Sequence, residues 1–215
     1  MQLLIASLAE IAAGFRLTLL LFLASACLAL VAGTALAIAS LLPVGILRRL
    51  AAGYVAVMCN TPVVLVFFLI TFGFPQLGLR LSFFVYATLA LALYEASYIC
   101  ESLRSGFNTI APGQSQAARS LGMDAITMLR TVLLPQAVAN AIPAIGNNLI
   151  SLAKATALAG SFGVVEATAQ LHRLTIDNPG EVFTLFAGIA SGYVVLNLAI
   201  AALMHCVESR MAFTR

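Results

Sequence analysis

Four long stretches of this chain carry no charge: residues 17–47, 50–79, 131–153 and 182–207 contain no Asp, Glu, Lys or Arg, and 81–100 contain only Glu95. A helix needs about 20 apolar residues to cross the hydrocarbon core of a bilayer, and every one of these stretches is that long. Composition agrees. Only 9% of the residues are charged and 62% are hydrophobic, whereas soluble domains are roughly a quarter charged. An all-α integral membrane protein follows, with five transmembrane helices expected at about 12–42, 52–74, 81–105, 134–160 and 182–208 in a single domain over 1–215.

Proline and glycine mark the joins, at Pro43 with Gly45, Pro75 with Gly78, Pro112 with Gly113, and Pro179 with Gly180. The first fourteen residues suit either a short interfacial helix or the start of the first span. No basic region precedes an apolar one before Arg16, so no cleavable leader is expected. A net charge of +3 spread over 215 residues makes no basic stripe, which excludes nucleic acid as a main partner. Cys27, Cys59, Cys100 and Cys206 are scattered through apolar segments without a C-x-x-C or a Cys/His cluster. They are expected to be small hydrophobes rather than metal ligands.

Basic residues are retained on the cytoplasmic side of a membrane protein. With five alternating spans, Arg48, Arg49, Arg104, Arg119, Arg130, Arg210 and Arg215 fall on one side and Arg16, Arg80 and Arg173 on the other. This bias places the N-terminus outside and the C-terminus in the cytosol.

The longest polar segment on the cytosolic side is 106–133. Pro112 suits the first turn of a helix, where its missing N–H costs nothing. That helix should run to about Leu121 and end at Gly122. Asp124 then caps a second short helix, and Pro135 marks the start of the fourth span. Ala117, Ala118 and Leu121 recur at helical spacing and would make a thin ridge for a groove on another protein. Packing on the membrane face would account for them equally well.

Gln116-Ala117-Ala118, Gly122 four residues on, and Val132-Leu133-Leu134-Pro135 after nine more resemble the EAA loop of ABC importer permeases, E-A-A-x3-G-x9-I-x-L-P. Gln116 replaces Glu and Val132 replaces Ile; the spacing matches throughout. Further segments are similar to those of the polar amino-acid permeases. Asn60-Thr61-Pro62 with Phe72-Gly73 resembles R-G-T-P…F-G, although Cys59-Asn60 stand where Arg-Gly is usual. Glu101 to Gly106 (ESLRSG) resembles A-E-x-x-R-G-G, and Leu134-Pro135-Gln136-Ala137 with Pro143 and Gly146-Asn147 resembles L-P-Q-A…P-x-x-G-N. Lys154-Ala155-Thr156 is similar to K-D-T-S, and Gly163 to Glu166 to G-V-x-E. The N-T-P start, ESLRSG and T-I-D-N at 175–178 look most like the glutamate-type subgroup.

The resemblance implies a type I ABC importer permease fold in a bacterial inner membrane, a non-enzymatic subunit with short cytoplasmic coupling helices at 106–133. It implies as partners two ATP-binding subunits, a second permease (a homologue or a copy of this chain), an extracytoplasmic solute-binding protein and the surrounding lipid. Gln116, Ala117, Ala118, Leu121, Gly122 and Met123 would meet the ATPase. No G-x-x-x-x-G-K-[ST] phosphate loop occurs in the chain, so ATP and Mg²⁺ belong on the partner and no cofactor is expected here.

A charge within the bilayer is costly, about 2.5–3.5 kcal/mol at the centre on insertion scales, and is therefore a functional candidate. Lys154 is chemically suited to hold a substrate carboxylate, with Glu166 or Glu95 as neighbours able to stabilise its ammonium. A structural pair fixing helix positions is the other reading. Asn147, Asn148 and Thr156 add polar groups to a span interrupted by Pro143 and Gly146, as in the broken helices that line transport paths. With Asn60 and Thr61 they complete the expected substrate path. Glu101 and Arg104 are spaced for a structural interfacial pair, His172 and His205 are expected to be polar surface, and Glu95 has no counterpart in the family pattern. Ala155 in place of the usual Asp removes a negative charge beside Lys154, which favours an acidic amino acid such as glutamate or aspartate.

Other classes fare worse. A membrane serine protease would need a G-x-S-G motif, which is absent, and an aspartyl protease two membrane aspartates, whereas Asp124 and Asp177 both lie in loops. A stand-alone channel or ion-coupled carrier is the remaining alternative.

Overall fold

The computed structural model describes residues 4, 6–42 and 44–211. Among them it is helical throughout, without strands. Eight helical units follow in order: α1 Leu8–Leu41, α2 Gly45–Cys59, α3 Val63–Gln76, α4 Phe83–Asn108, α5 Pro112–Ser120, α6 Ala125–Phe162, α7 Ala167–Asp177 and α8 Val182–Met211. α1, α4, α6 and α8 are each long and apolar enough to span a membrane, and α2 with α3 forms a fifth, broken candidate. α1 is continuous from Leu8 to Leu41, so residues 8–14 belong to the first span; Met1 to Leu3 and Ile5 fall outside the described residues.

The expected single span at 52–74 is corrected by the structure. α2 and α3 meet at 107°. The break is local chemistry: Pro62 has no N–H to continue the ladder and disfavours a helical residue before it. The Asn60 amide donates to the Ala56 carbonyl at 2.8 Å and the Thr61 hydroxyl to the Val57 carbonyl at 2.7 Å, so side chains close α2. The Tyr54 hydroxyl then ties α2 to α4 by donating to the Leu93 carbonyl at 2.6 Å.

A second difference lies at the start of the fourth span. The short helix capped by Asp124 does not stop before Pro135. It widens into a π-helical turn at Leu129–Leu133 and runs on as Leu134–Ala155, ending in 3₁₀ turns at Thr156–Phe162. The same device recurs in α3, where the π turn Leu69–Gly73 precedes Pro75. In both places the wide turn accommodates a proline two residues further on, where an ordinary turn would meet the ring. Proline here bends the hydrogen-bond ladder without ending the helix.

α4 lies at the centre, between α1 on one side and α6 on the other, and α8 packs outside α6 and α7. Lipid is as apolar as leucine, so helices in a membrane associate through close packing of small residues. α1 supplies Ser25, Ala26, Ala29, Gly33 and Ala37 at three- and four-residue spacing. The Ser25 hydroxyl donates to the Thr88 carbonyl at 3.4 Å, and a Cβ on Gly33 would stand 2.7 Å from both the Ala96 carbonyl oxygen and the Ile99 Cβ. The main core joins Leu21, Phe67, Leu91, Leu152 and Phe162, and a smaller one joins Ile11, Ala167, Leu174, Leu185 and Ile189 where α1, α7 and α8 meet.

Candidate functional site

Two surfaces collect the residues singled out by the sequence. The first is α5 and the turn after it. Pro112 occupies the first turn of α5, and Gly122 takes φ +79°, the left-handed conformation that ends a helix at little cost only for glycine. The Met123 amide returns to the Ala118 carbonyl at 3.1 Å and the Gly122 amide to the Arg119 carbonyl at 2.9 Å, satisfying the last carbonyls of α5. Asp124 then accepts from the Ile126 and Thr127 amides at 2.9 and 3.0 Å and from the Thr127 hydroxyl at 2.6 Å. Chiefly the Thr127 side chain, and then its amide, hold the Asp124 carboxyl below the usual range, so the α6 N-terminus carries a fixed negative charge.

The ridge expected on α5 is differently composed. Ala118 is only 4% exposed and faces the chain's own helices, because it lies about 100° around the helix from Ala117. Gln116, Ala117 and Leu121 point outward, with Leu121 77% exposed, and Met123 is half-buried. Ile126, 64% exposed, adds an apolar side chain that the sequence reading missed. Its place as the second residue of α6 gave no pattern by which to find it.

The second surface runs along α6. Asn140, Asn147, Ser151 and Lys154 are all exposed, at spacings of seven, four and three residues that align them on one face. A polar stripe at membrane depth belongs against water or protein, away from lipid. Asn140 and Ser151 were overlooked by sequence, although the heptad-like spacing was there to find. The Asn140 amide donates to the Thr109 hydroxyl at 2.9 Å, which anchors the stripe to the end of α4.

The remaining expected path residues lie elsewhere. Asn148 is half-buried and donates to the Ser102 hydroxyl of α4 at 2.9 Å, a helix-to-helix bond. Thr156 is fully buried, its hydroxyl donating to the Ala153 carbonyl at 2.6 Å. Asn60 and Thr61 close α2, as described. Glu166 is fully buried and makes no ion pair with Lys154. It caps α7, accepting from the Thr168 and Ala169 amides at 2.9 Å each, from the Tyr193 hydroxyl of α8 at 2.8 Å and from the Thr18 hydroxyl of α1 at 3.3 Å. Four donors explain its burial without a cation. Glu101 and Arg104 form the salt bridge expected from their spacing, exposed near the end of α4. Glu95 is 4% exposed, and its Oε1 has no hydrogen-bond partner among the described residues. No group of three His, Cys, Asp or Glu side chains gathers among those residues as a metal site would require.

Comparison with known proteins matches residues 26–213 to the family described as "Binding-protein-dependent transport system inner membrane component". The glutamate transport system permease protein GluC of Corynebacterium glutamicum is 38% identical over 211 residues, 92% of each chain. The arginine transport system permease protein ArtQ of Bacillus subtilis is 36% identical over 200 residues, 92% of this chain and 90% of that one. A crystal structure of an amino acid ABC transporter with histidines superposes with a TM-score of 0.90 at 28% identity, covering 96% of both chains. The inward-facing MetNI methionine ABC transporter superposes at 0.76 with 20% identity, covering 97% of this chain and 99% of that one, a likeness of fold alone.

Proposed function

The chain belongs to the family of binding-protein-dependent transport system inner membrane components and is a permease subunit of an amino-acid ABC importer; from that premise we propose that its cargo is an acidic amino acid, glutamate first. Subunits of this kind are non-catalytic, multi-pass components of the inner membrane, and hydrolysis resides in a separate ATPase.

One observation carries the cargo assignment: Lys154 stands exposed on the polar stripe of α6, without an ion pair among the described residues. A carboxylate leaving water needs a compensating positive group, and bringing the two together offsets part of the cost of desolvating either alone. The relatives named for glutamate support the assignment, and the arginine-named relative makes it a real choice.

ATP and Mg²⁺ are bound by two partner ATPases that dock on Gln116, Ala117, Leu121, Gly122 and Met123, with Ile126 beside them. Ala118 acts from beneath by seating α5 on the bundle. A second permease, homologous or identical, faces the α6 stripe across the path, and an extracytoplasmic binding protein delivers cargo to the other side. The N-terminus lies outside and the C-terminus in the cytosol. ATP-driven closure of the ATPases shifts the permease between two states through contacts that differ between them, as any such coupling requires.

The test is competitive uptake of labelled glutamate, glutamine and arginine by the reconstituted complex with its own binding protein. Glutamate is expected to enter in preference. Preferential arginine uptake overturns the cargo assignment, and uptake driven by a proton gradient without the ATPase overturns the coupling.

A further inference from the structure

Two segments of this chain share one local pattern. Leu69-Ile70-Thr71 with Pro75 in α3 and Leu129-Arg130-Thr131 with Pro135 in α6 each form a π turn, with threonine at its centre and proline two residues beyond it. The two threonines differ. In α6 the Thr131 hydroxyl, though exposed, donates to the Thr127 carbonyl one turn back at 2.7 Å. In α3 Thr71 is 3% exposed, and its Oγ1 has no hydrogen-bond partner among the described residues. A hydroxyl shut away from water without a partner destabilises the arrangement that buries it.

Aromatic packing holds that arrangement in place. Phe162, at the end of α6, meets three rings of α3: Phe67 stacked with centroids 4.9 Å apart, Phe68 edge-on at 5.1 Å and Phe72 tilted at 6.3 Å. Phe67 is fully buried and precedes the turn, whereas Phe72 lies within it. The loop after α3 is tied to α4, because the Tyr86 hydroxyl donates to the Leu79 carbonyl at 2.7 Å and accepts from the Leu81 amide at 2.8 Å. A Cβ on Gly73 would approach only the Leu69 side chain, at 3.5 Å. The turn therefore has room to change while its surroundings stay fixed. Phe162 stands eight residues beyond Lys154, at the outer end of the polar stripe of α6.

We propose that the π turn of α3 is a two-position hinge at the outer end of the transport path. In the sealed position Phe72 sits on Phe162 and the Thr71 hydroxyl goes unpaired. In the open position the turn takes the form of its counterpart in α6: the Thr71 hydroxyl bonds to the Phe67 carbonyl, and Phe72 withdraws. One ring contact is balanced against one hydrogen bond, so a small difference in contacts made elsewhere in the complex shifts the population. The inference rests on the path and orientation given under Proposed function, and not on which amino acid is carried.

The experiment uses the complete complex in proteoliposomes carrying Ser151→Cys, a near-isosteric change on the stripe. Its thiol is reacted with a membrane-impermeant maleimide on the binding-protein side. Labelling is measured by mass on the peptide that holds this position, apart from the native cysteines, and is normalised to assembled complex. Relative to this parent, Phe72→Ala should speed labelling in the absence of ATP about fivefold, the worth of one aromatic contact. Phe72→Leu, a smaller change, should act in the same direction. Thr71→Val should slow labelling during ATP-driven turnover about fivefold, the worth of one hydrogen bond. Thr71→Ser keeps the hydroxyl and should label at the parent rate. Any other order overturns the hinge; changes of one sign in the Phe72 and Thr71→Val variants would show packing alone. The expected order found only with the reagent on the ATPase side overturns the orientation and leaves the hinge standing.

Discussion

The Tyr193 hydroxyl of α8 donates to the Glu166 carboxylate at 2.8 Å, and with the Thr18 hydroxyl at 3.3 Å it joins three helices at one fully buried acid. The T-shaped contact of Tyr193 with the Phe15 ring, centroids 5.4 Å apart, holds the tyrosine in place. This arrangement makes Glu166 a clasp. Glu166→Ala should cost about 3 kcal/mol, through loss of a helix cap and abandonment of several buried donors, and Tyr193→Phe about 1.5 kcal/mol. Thermal unfolding of the purified complex in detergent measures both. A Glu166→Gln complex of unchanged stability but altered cargo preference would instead return Glu166 to the transport path.

Coupling should fail at Gly122 without loss of the bundle. A Cβ there would meet nothing within 4 Å, so the chain itself offers no clash, and the φ of +79° is the whole intramolecular penalty. That penalty is about 1–2 kcal/mol for a residue other than glycine. Gly122→Leu should therefore insert at close to normal abundance yet lose cargo-stimulated ATP hydrolysis, because its side chain projects into the space where a partner would seat. Stimulation at the wild-type level in this variant would remove the turn from the docking surface.

What the sequence made legible follows from the range of each interaction. Apolar windows report the solvent directly, so the spans around Leu8–Leu41, Phe83–Asn108 and Val182–Met211 were readable to within a few residues. The bend at Asn60 to Pro62 was not, because residues 50–79 carry no charge on either side of it and a proline inside an apolar window does not announce how sharply the helix turns. Pro135 was read as a boundary, but a π turn carries the helix through it. Spacing grouped Ala117 with Ala118, yet adjacent residues on a helix face apart, and only packing decides which one turns inward. Glu166 was read as a path residue able to pair with Lys154; the side chains it meets, Thr18 and Tyr193, lie 148 and 27 residues away.

The α1–α4 contact should tolerate no added carbon at Gly33. The nearest atoms to a Cβ there include the Ala96 carbonyl oxygen at 2.7 Å, which belongs to helix backbone and cannot rotate aside. Gly33→Ala should lower stability by about 1–3 kcal/mol, in the range of overpacked sites. The result will appear as a lower unfolding temperature and reduced abundance in the membrane. An unaffected complex would mean that α1 and α4 separate more readily than their packing implies.

Lys154→Met removes the ammonium while keeping much of the side-chain volume. Lys154 is exposed and makes neither a hydrogen bond nor an ion pair among the described residues, so its loss leaves no buried partner stranded and should change stability by no more than about 0.5 kcal/mol. Uptake is another matter. If the cargo carboxylate passes this residue, the variant should import glutamate at a rate lower by about tenfold or more, the worth of one charge-assisted contact formed away from bulk water. Lys154→Arg should restore part of the rate, since charge is what the path requires. Lys154→Glu should reject glutamate more strongly than Lys154→Met does, because like charges repel where water is scarce. Uptake rates divided by the amount of complex in the proteoliposomes separate these effects from expression. Equal glutamate rates in the wild type and the Lys154→Met and Lys154→Glu variants would show that cargo does not pass this face of α6.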